Sequence, residues 1–117
     1  MKLRDLTSLQ DILAATELID SFIQGIDRDV FDESLLIQSA VVRQIEIIGE
    51  ATKRLSVELR KLYNEIPWKQ MAGMRDILIH AYDSIDPDEV WNVAIRDLPR
   101  ICLQIRVIID GLLVEDD

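Results

Sequence analysis

Apolar residues recur at three- and four-residue steps along most of the chain, and only three prolines and four glycines interrupt them. That pattern predicts an all-α protein. A first helix is expected from Leu6 to Gln24, with Thr7 or Ser8 as its N-cap and Gly25 as its stop. "DRDVFDE" reads as a turn. A long second helix follows from about Ser34 to Tyr63, its main stripe formed by Ile37, Val41, Ile48, Ala51, Leu55, Leu59 and Leu62. Leu35, Val42, Ile45 and Thr52 widen that face beyond a single seam. "NEIP" then breaks the helix, and Pro67 suits the first position of a third helix ending near Ala81 or Tyr82. After "DSIDPDEV", Asp86 is a natural N-cap and Pro87 a natural first residue for a fourth helix that runs to Leu113, kinked or split near Pro99. The architecture these elements predict is a four- to five-helix bundle in one domain spanning residues 1–117.

Helices two and four carry more apolar surface than one packing partner can cover. A second copy of the chain would satisfy the surplus, so a homodimer is expected.

The third helix contains the chain's only histidine, in "MAGMRDILIHAYD". At about 100° per residue, with Arg75 at zero, Met71, Met74, Ile77, Leu78 and Ala81 share one core-facing arc. Lys69, Gly73, Asp76 and His80 lie on the opposite side, and Tyr82 returns to within about 20° of Arg75. Asp76 is four residues before His80, a spacing that lets the carboxylate reach the imidazole and favour its protonated form. Gly73 lies almost directly beneath His80. A glycine inside a helix costs about 1 kcal/mol against alanine, and here it leaves room for a ligand or for another backbone in a tight crossing. Arg75 and His80 diverge by about 140° and lie about 7.5 Å apart along the axis, so one helix does not converge them. Two facing copies could.

Composition narrows the chemistry. With 117 residues, 49% of them apolar, the chain suits one compact domain. No apolar run reaches the ~20 residues of a membrane span, and the first residues show no signal-peptide core, so a cytoplasmic protein without membrane attachment is expected. Cys102 has no second cysteine to pair with, and no Cys/His cluster offers a zinc site. The net charge of −9 argues against wrapping nucleic acid by bulk charge. It leaves room for a small basic cleft, because Lys53, Arg54, Arg60, Lys61, Lys69 and Arg75 gather in mid-chain.

An arginine, a histidine, a nearby carboxylate and a tyrosine suggest phosphate chemistry. Arginine binds phosphate bidentately and histidine moves a proton near neutral pH. The sequence has no acidic constellation for two metals, no Gly-rich phosphate loop, and no Cys or Ser paired to the histidine. Phosphoryl transfer without metal or cofactor is the reaction class left.

Arg75-Asp76-x-x-x-His80-x-Tyr82 resembles the Arg-x-x-x-x-His-x-Tyr signature of the HEPN superfamily. The segments "IEIIGEATKRLSVELR", "IPWKQMAGMRDILIHAYDSID" and "DEVWNVAIRDLP" extend the likeness to HepT-like ribonuclease toxins over almost the full chain. The resemblance implies an all-α homodimeric endoribonuclease that needs no metal, with Arg75 and His80 catalytic; the helix spacing adds Asp76 and Gly73 as supporting positions. It further implies a toxin–antitoxin pair in which an MntA-type nucleotidyltransferase adds AMP to Tyr82 and silences the RNA-cutting toxin. The rival reading is a non-catalytic helical module that docks a nucleotide or a nucleotidyltransferase. The −9 charge, doubled in a dimer, lends that rival some weight.

Overall fold

In the computed structural model, residues 3–79 and 86–115 are described, and the side chains of 75–79 and of 115 lie outside that description. Among the described residues, seven α-helices and one π-helical turn form an all-α bundle, with no strand. They are α1 (Leu3–Ile23), α2 (Arg28–Glu33), α3 (Leu35–Lys53), α4 (Val57–Leu62), α5 (Trp68–Ile79), α6 (Pro87–Asn92) and α7 (Leu98–Glu115), with Val93–Asp97 the π turn. The long helices pack in sequence across the bundle: α5 against α3, α3 against α1, and α1 against α7. Leu9, Ile12, Val41, Ile48, Met71 and Ile105 anchor the one core they share.

The structure departs from the sequence reading at several places. Helix α1 begins at Leu3, before the predicted Leu6, and Ser8 is buried within it instead of capping it. Its end matches the prediction, with Gly25 at φ 77°, a conformation that side chains other than glycine's resist. "DRDVFDE" is not a plain turn but contains α2. Asp27 caps this helix by accepting from the Val30 N–H at 3.0 Å, and buried Phe31 packs on Trp91 with ring centroids 5.1 Å apart. The Gln38 amide donates to the carbonyls of Phe31 and Asp32, satisfying groups that a helix end leaves open. On the solvent side, Arg28 donates to Asp32 on its own helix and joins α2 to α6 through Asp88, and those hydrogen bonds hold its guanidinium pKa above the ordinary value.

The predicted second helix is two helices, because Asp5 breaks it. The buried Asp5 carboxylate accepts the Ser56 N–H at 2.8 Å and the Ser56 hydroxyl at 2.7 Å. In an uninterrupted helix the Ser56 N–H would go to the carbonyl of Thr52. Ser56 instead becomes the N-cap of α4, its oxygen accepting from Leu59 N–H. The bend keeps Leu55 and Leu59 in the core and leaves Leu62, predicted to be buried, 69% exposed.

The third helix starts at Trp68, one residue later than predicted, with the Pro67 carbonyl accepting from Met71 N–H. Its indole donates to the Tyr63 carbonyl at 2.9 Å, which ties the α4–α5 loop to α5. Asp86 and Pro87 open α6 as expected. At Pro99 the helix does not split. The π turn immediately before it sends the Leu98 N–H to the Val93 carbonyl, and the widened turn absorbs the clash a proline ring makes with the preceding turn.

Leu35, Leu36, Leu103, Val107 and Val114 remain largely exposed, so α3 and α7 each keep uncovered apolar surface. No helix among the described residues is long and apolar enough to cross a membrane.

Candidate functional site

Helix α5 carries the first part of the motif, Arg75 and Asp76, and where its side chains are described its packing side follows the angular reading. Met71 and Met74 are buried against α3, which makes both methionines core residues. Arg75 and Asp76 come directly after Met74 on the same helix, and their side chains lie outside the described residues. His80 and Tyr82 lie wholly outside them, as do Ala81 and the side chains of Ile77 and Leu78, the rest of the predicted core arc. Gly73 is described. Among the described residues no atom lies where a side chain at this position would need room, so no tight helix crossing is seen there.

The mid-chain basic residues separate in space. Arg54 turns to Asp11 of α1 at 3.3 Å. Arg60, Lys61 and Lys69 line a groove between α4 and α5, together with Asn64. Its floor is mostly apolar, built from Val57, Pro67, Trp68 and Ala72. The basic cluster in the sequence was the signal for this groove, but spacing alone could not say which of its members share a face. The position of α4, and with it that of Arg60 and Lys61, follows from the Asp5–Ser56 link, whose two ends lie 51 residues apart.

A more enclosed cleft of about 410 Å³ lies between α1 and α7, lined in part by Thr16, Asp20, Pro99 and Cys102. Glu17 and Arg106, also in its lining, pair at 3.2 Å. Among the described residues it involves none of α5, and its arginine is already taken up by Glu17. The α4–α5 groove is the better candidate because it adjoins the motif helix. No cluster of metal-ligating side chains occurs among the described residues.

An all-α bundle with a basic groove beside α5, and a sequence that continues from α5 into an Arg-x-x-x-x-His-x-Tyr motif, defines a recognisable class. Residues 12–108 match the family described as ribonuclease HepT-like, and the chain belongs to that family. It is 44% identical over 104 residues to the "Gamma-glutamylcyclotransferase and putative RNase MJ0434" of Methanocaldococcus jannaschii, covering 89% of this chain and 47% of that longer protein. It is 43% identical over 93 residues to the "Probable ribonuclease HepT" of Thermococcus cleftensis, covering 80% of this chain and 84% of the relative. "Putative RNase MJ1380", also of M. jannaschii, is 36% identical and covered along its whole length. No solved structure matches the chain.

Proposed function

We propose that this protein is an endoribonuclease that cleaves RNA without a metal ion, working in the cytoplasm as the toxin of a toxin–antitoxin pair. The observation that carries the reading is the match of residues 12–108 to the ribonuclease HepT-like family, with the Arg75–His80–Tyr82 motif inside it.

In this reaction the His80 imidazole takes the proton of a ribose 2′-OH. The 2′-oxygen then attacks the adjacent phosphorus and the P–O5′ bond breaks. The products are a 2′,3′-cyclic phosphate and a 5′-OH, the latter protonated by an imidazolium. Arg75 stabilises the negative charge that builds on the phosphoryl oxygens. Because one helix separates the two groups, a homodimer with its motif helices facing supplies a composite site. Asp76 orients and charges His80, and the open side of Gly73 leaves room for the substrate.

Tyr82 is the control point. A nucleotidyltransferase of the MntA type places AMP there: the phenolic oxygen attacks the α-phosphorus of ATP, pyrophosphate leaves, and the phenolic proton goes to solvent. The adduct brings negative charge and bulk to the phosphate-binding side of the site.

The deciding experiment is cleavage of a labelled RNA by the purified wild type and by His80→Ala, each with and without EDTA. The expected result is cleavage by the wild type in both conditions and none by the variant. A wild type that binds RNA without cutting it would instead establish the non-catalytic docking module. Loss of activity in EDTA would end the metal-free mechanism. Intact mass after incubation with the nucleotidyltransferase and ATP tests the regulation. A Tyr82→Phe variant that still gains AMP would refute it.

A further inference from the structure

The α4–α5 groove departs from the rest of the molecule in charge. The chain carries 22 acidic against 13 basic residues, yet among the described residues the charged side chains that line this groove are Arg60, Lys61 and Lys69, with no carboxylate. Lys61 and Lys69 are exposed, Arg60 is half-buried, and Asn64 adds an exposed amide. Two adjoining depressions share Arg60, Asn64, Trp68 and Lys69, so the groove is continuous from the α4–α5 loop to Ala72. Its floor is apolar while its rim is cationic. That combination fits a single-stranded polynucleotide, whose bases offer apolar faces and whose phosphates repeat along one edge.

Register gives the groove a direction. Lys69 lies on the turn before Gly73, and that face of α5 continues to the end of the described helix at Ile79, about 15 Å from Lys69 along the axis. A strand in the groove is thereby led along α5 toward the motif.

We propose that this groove is the substrate-entry path: it holds single-stranded RNA beside the scission site, with Arg60, Lys61 and Lys69 on successive phosphates and the apolar floor under the bases. The proposal rests on the ribonuclease reading and adds residues that the motif does not contain. It also accounts for how a chain of net charge −9 engages a polyanion. Attraction is local, and the surrounding acidic surface discourages other docking modes. Because an apolar floor and a row of cations read no base edges, the groove selects single strands over duplexes while tolerating many sequences.

The test uses the full-length protein and a fluorescent 2′-O-methyl RNA, which lacks the nucleophile and so reports binding independently of cleavage. Cleavable RNA of the same sequence supplies kcat and KM. The variant Arg60→Gln/Lys61→Gln/Lys69→Gln is compared with Arg43→Gln/Arg96→Gln/Arg100→Gln, an equal change of charge at exposed positions outside the groove. The groove variant should lower the slope of log K against log salt by about 2, at about 0.7 per single-strand phosphate contact, with KM raised about tenfold or more at low salt and kcat little changed. The control variant should leave the slope near the wild-type value. Lys69→Gln alone, a single exposed change that spares the fold, should lower the slope by about 0.7. Equal weakening by the two triple variants, or an unchanged slope in the groove variant, would overturn the proposal. So would loss of the dimer in the groove variant by light scattering, since the face would then belong to a second copy. A wild type that binds no RNA removes the ribonuclease reading itself, whereas a binding wild type with an indifferent groove removes only the path.

Discussion

Helices α5 and α7 occupy opposite ends of the packing order and follow different rules. In α7, Ile101, Ile105, Ile108 and Leu112 fill the core, and the outer side is again apolar at Leu103, Val107 and Val114. In α5, Trp68, Met71 and Met74 anchor the helix, while the side away from the core carries Lys69 and Gly73. One edge of the bundle is apolar on both sides, and the other carries charge on its outer side. Stability and chemistry should therefore respond to different substitutions.

The largest effect should separate the two edges completely. Arg75→Ala and His80→Ala should each slow RNA cleavage by about 10²–10⁴-fold or more, the usual worth of a general base or an oxyanion-stabilising group. Neither should shift the thermal unfolding midpoint appreciably, because both positions lie off the predicted core arc. Circular dichroism beside a cleavage assay checks this, and a midpoint that falls with activity would erase the distinction.

Next come the core truncations. Ile105→Ala in α7 and Met71→Ala in α5, each fully buried, should cost about 2–5 kcal/mol in urea unfolding. At temperatures where both variants stay folded, Ile105→Ala should leave KM unchanged. Met71→Ala should disturb it, since it loosens the helix that carries the motif.

A third measurement locates the proposed dimer contact. If the two motif helices meet while the groove stays open, the exposed Leu62 of α4, which is not among the groove's lining residues, reaches the partner, and Leu62→Asp should dissociate the dimer because an unpaired buried carboxylate costs several kcal/mol. Val107→Asp on α7 should not. Light scattering distinguishes the 13.5 kDa chain from its pair, and the opposite outcome would put association on the packing edge, away from the motif.

The smallest expected change is Asp5→Ala, which leaves the Ser56 N–H buried without its acceptor and should cost about 1–3 kcal/mol. It should also raise KM for RNA, because the bend that sets Arg60 and Lys61 opposite α5 depends on this carboxylate. Asp5→Asn, which keeps an acceptor oxygen, should recover part of both effects. An unchanged KM in Asp5→Ala would show that α4 holds its place without the link.

Much of this protein was legible in its sequence, because the legible parts depend on local periodicity. The all-α class, the stop at Gly25, the Asp86–Pro87 start of α6, the packing role of Met71 and Met74, and the family all follow from residues close in the chain. A helix repeats every 3.6 residues, so a stripe or a cap writes itself into a window of a dozen positions. The motif is legible for the same reason, since its members lie within eight consecutive positions of the sequence.

What the tertiary structure decided are the matters that join distant residues. Nothing in the run from Ser34 to Tyr63 shows that it must bend, because the group that bends it, Asp5, lies 51 residues before Ser56. Nothing in "DRDVFDE" shows that Phe31 will find Trp91 and hold a short helix there. The basic residues were visible as a cluster, yet only folding turned Arg54 toward Asp11 and set Arg60 and Lys61 across from Lys69. Sequence spacing fixes where side chains point around one helix axis. Which axes lie side by side is set by burial of all the stripes together, and that condition belongs to the whole chain.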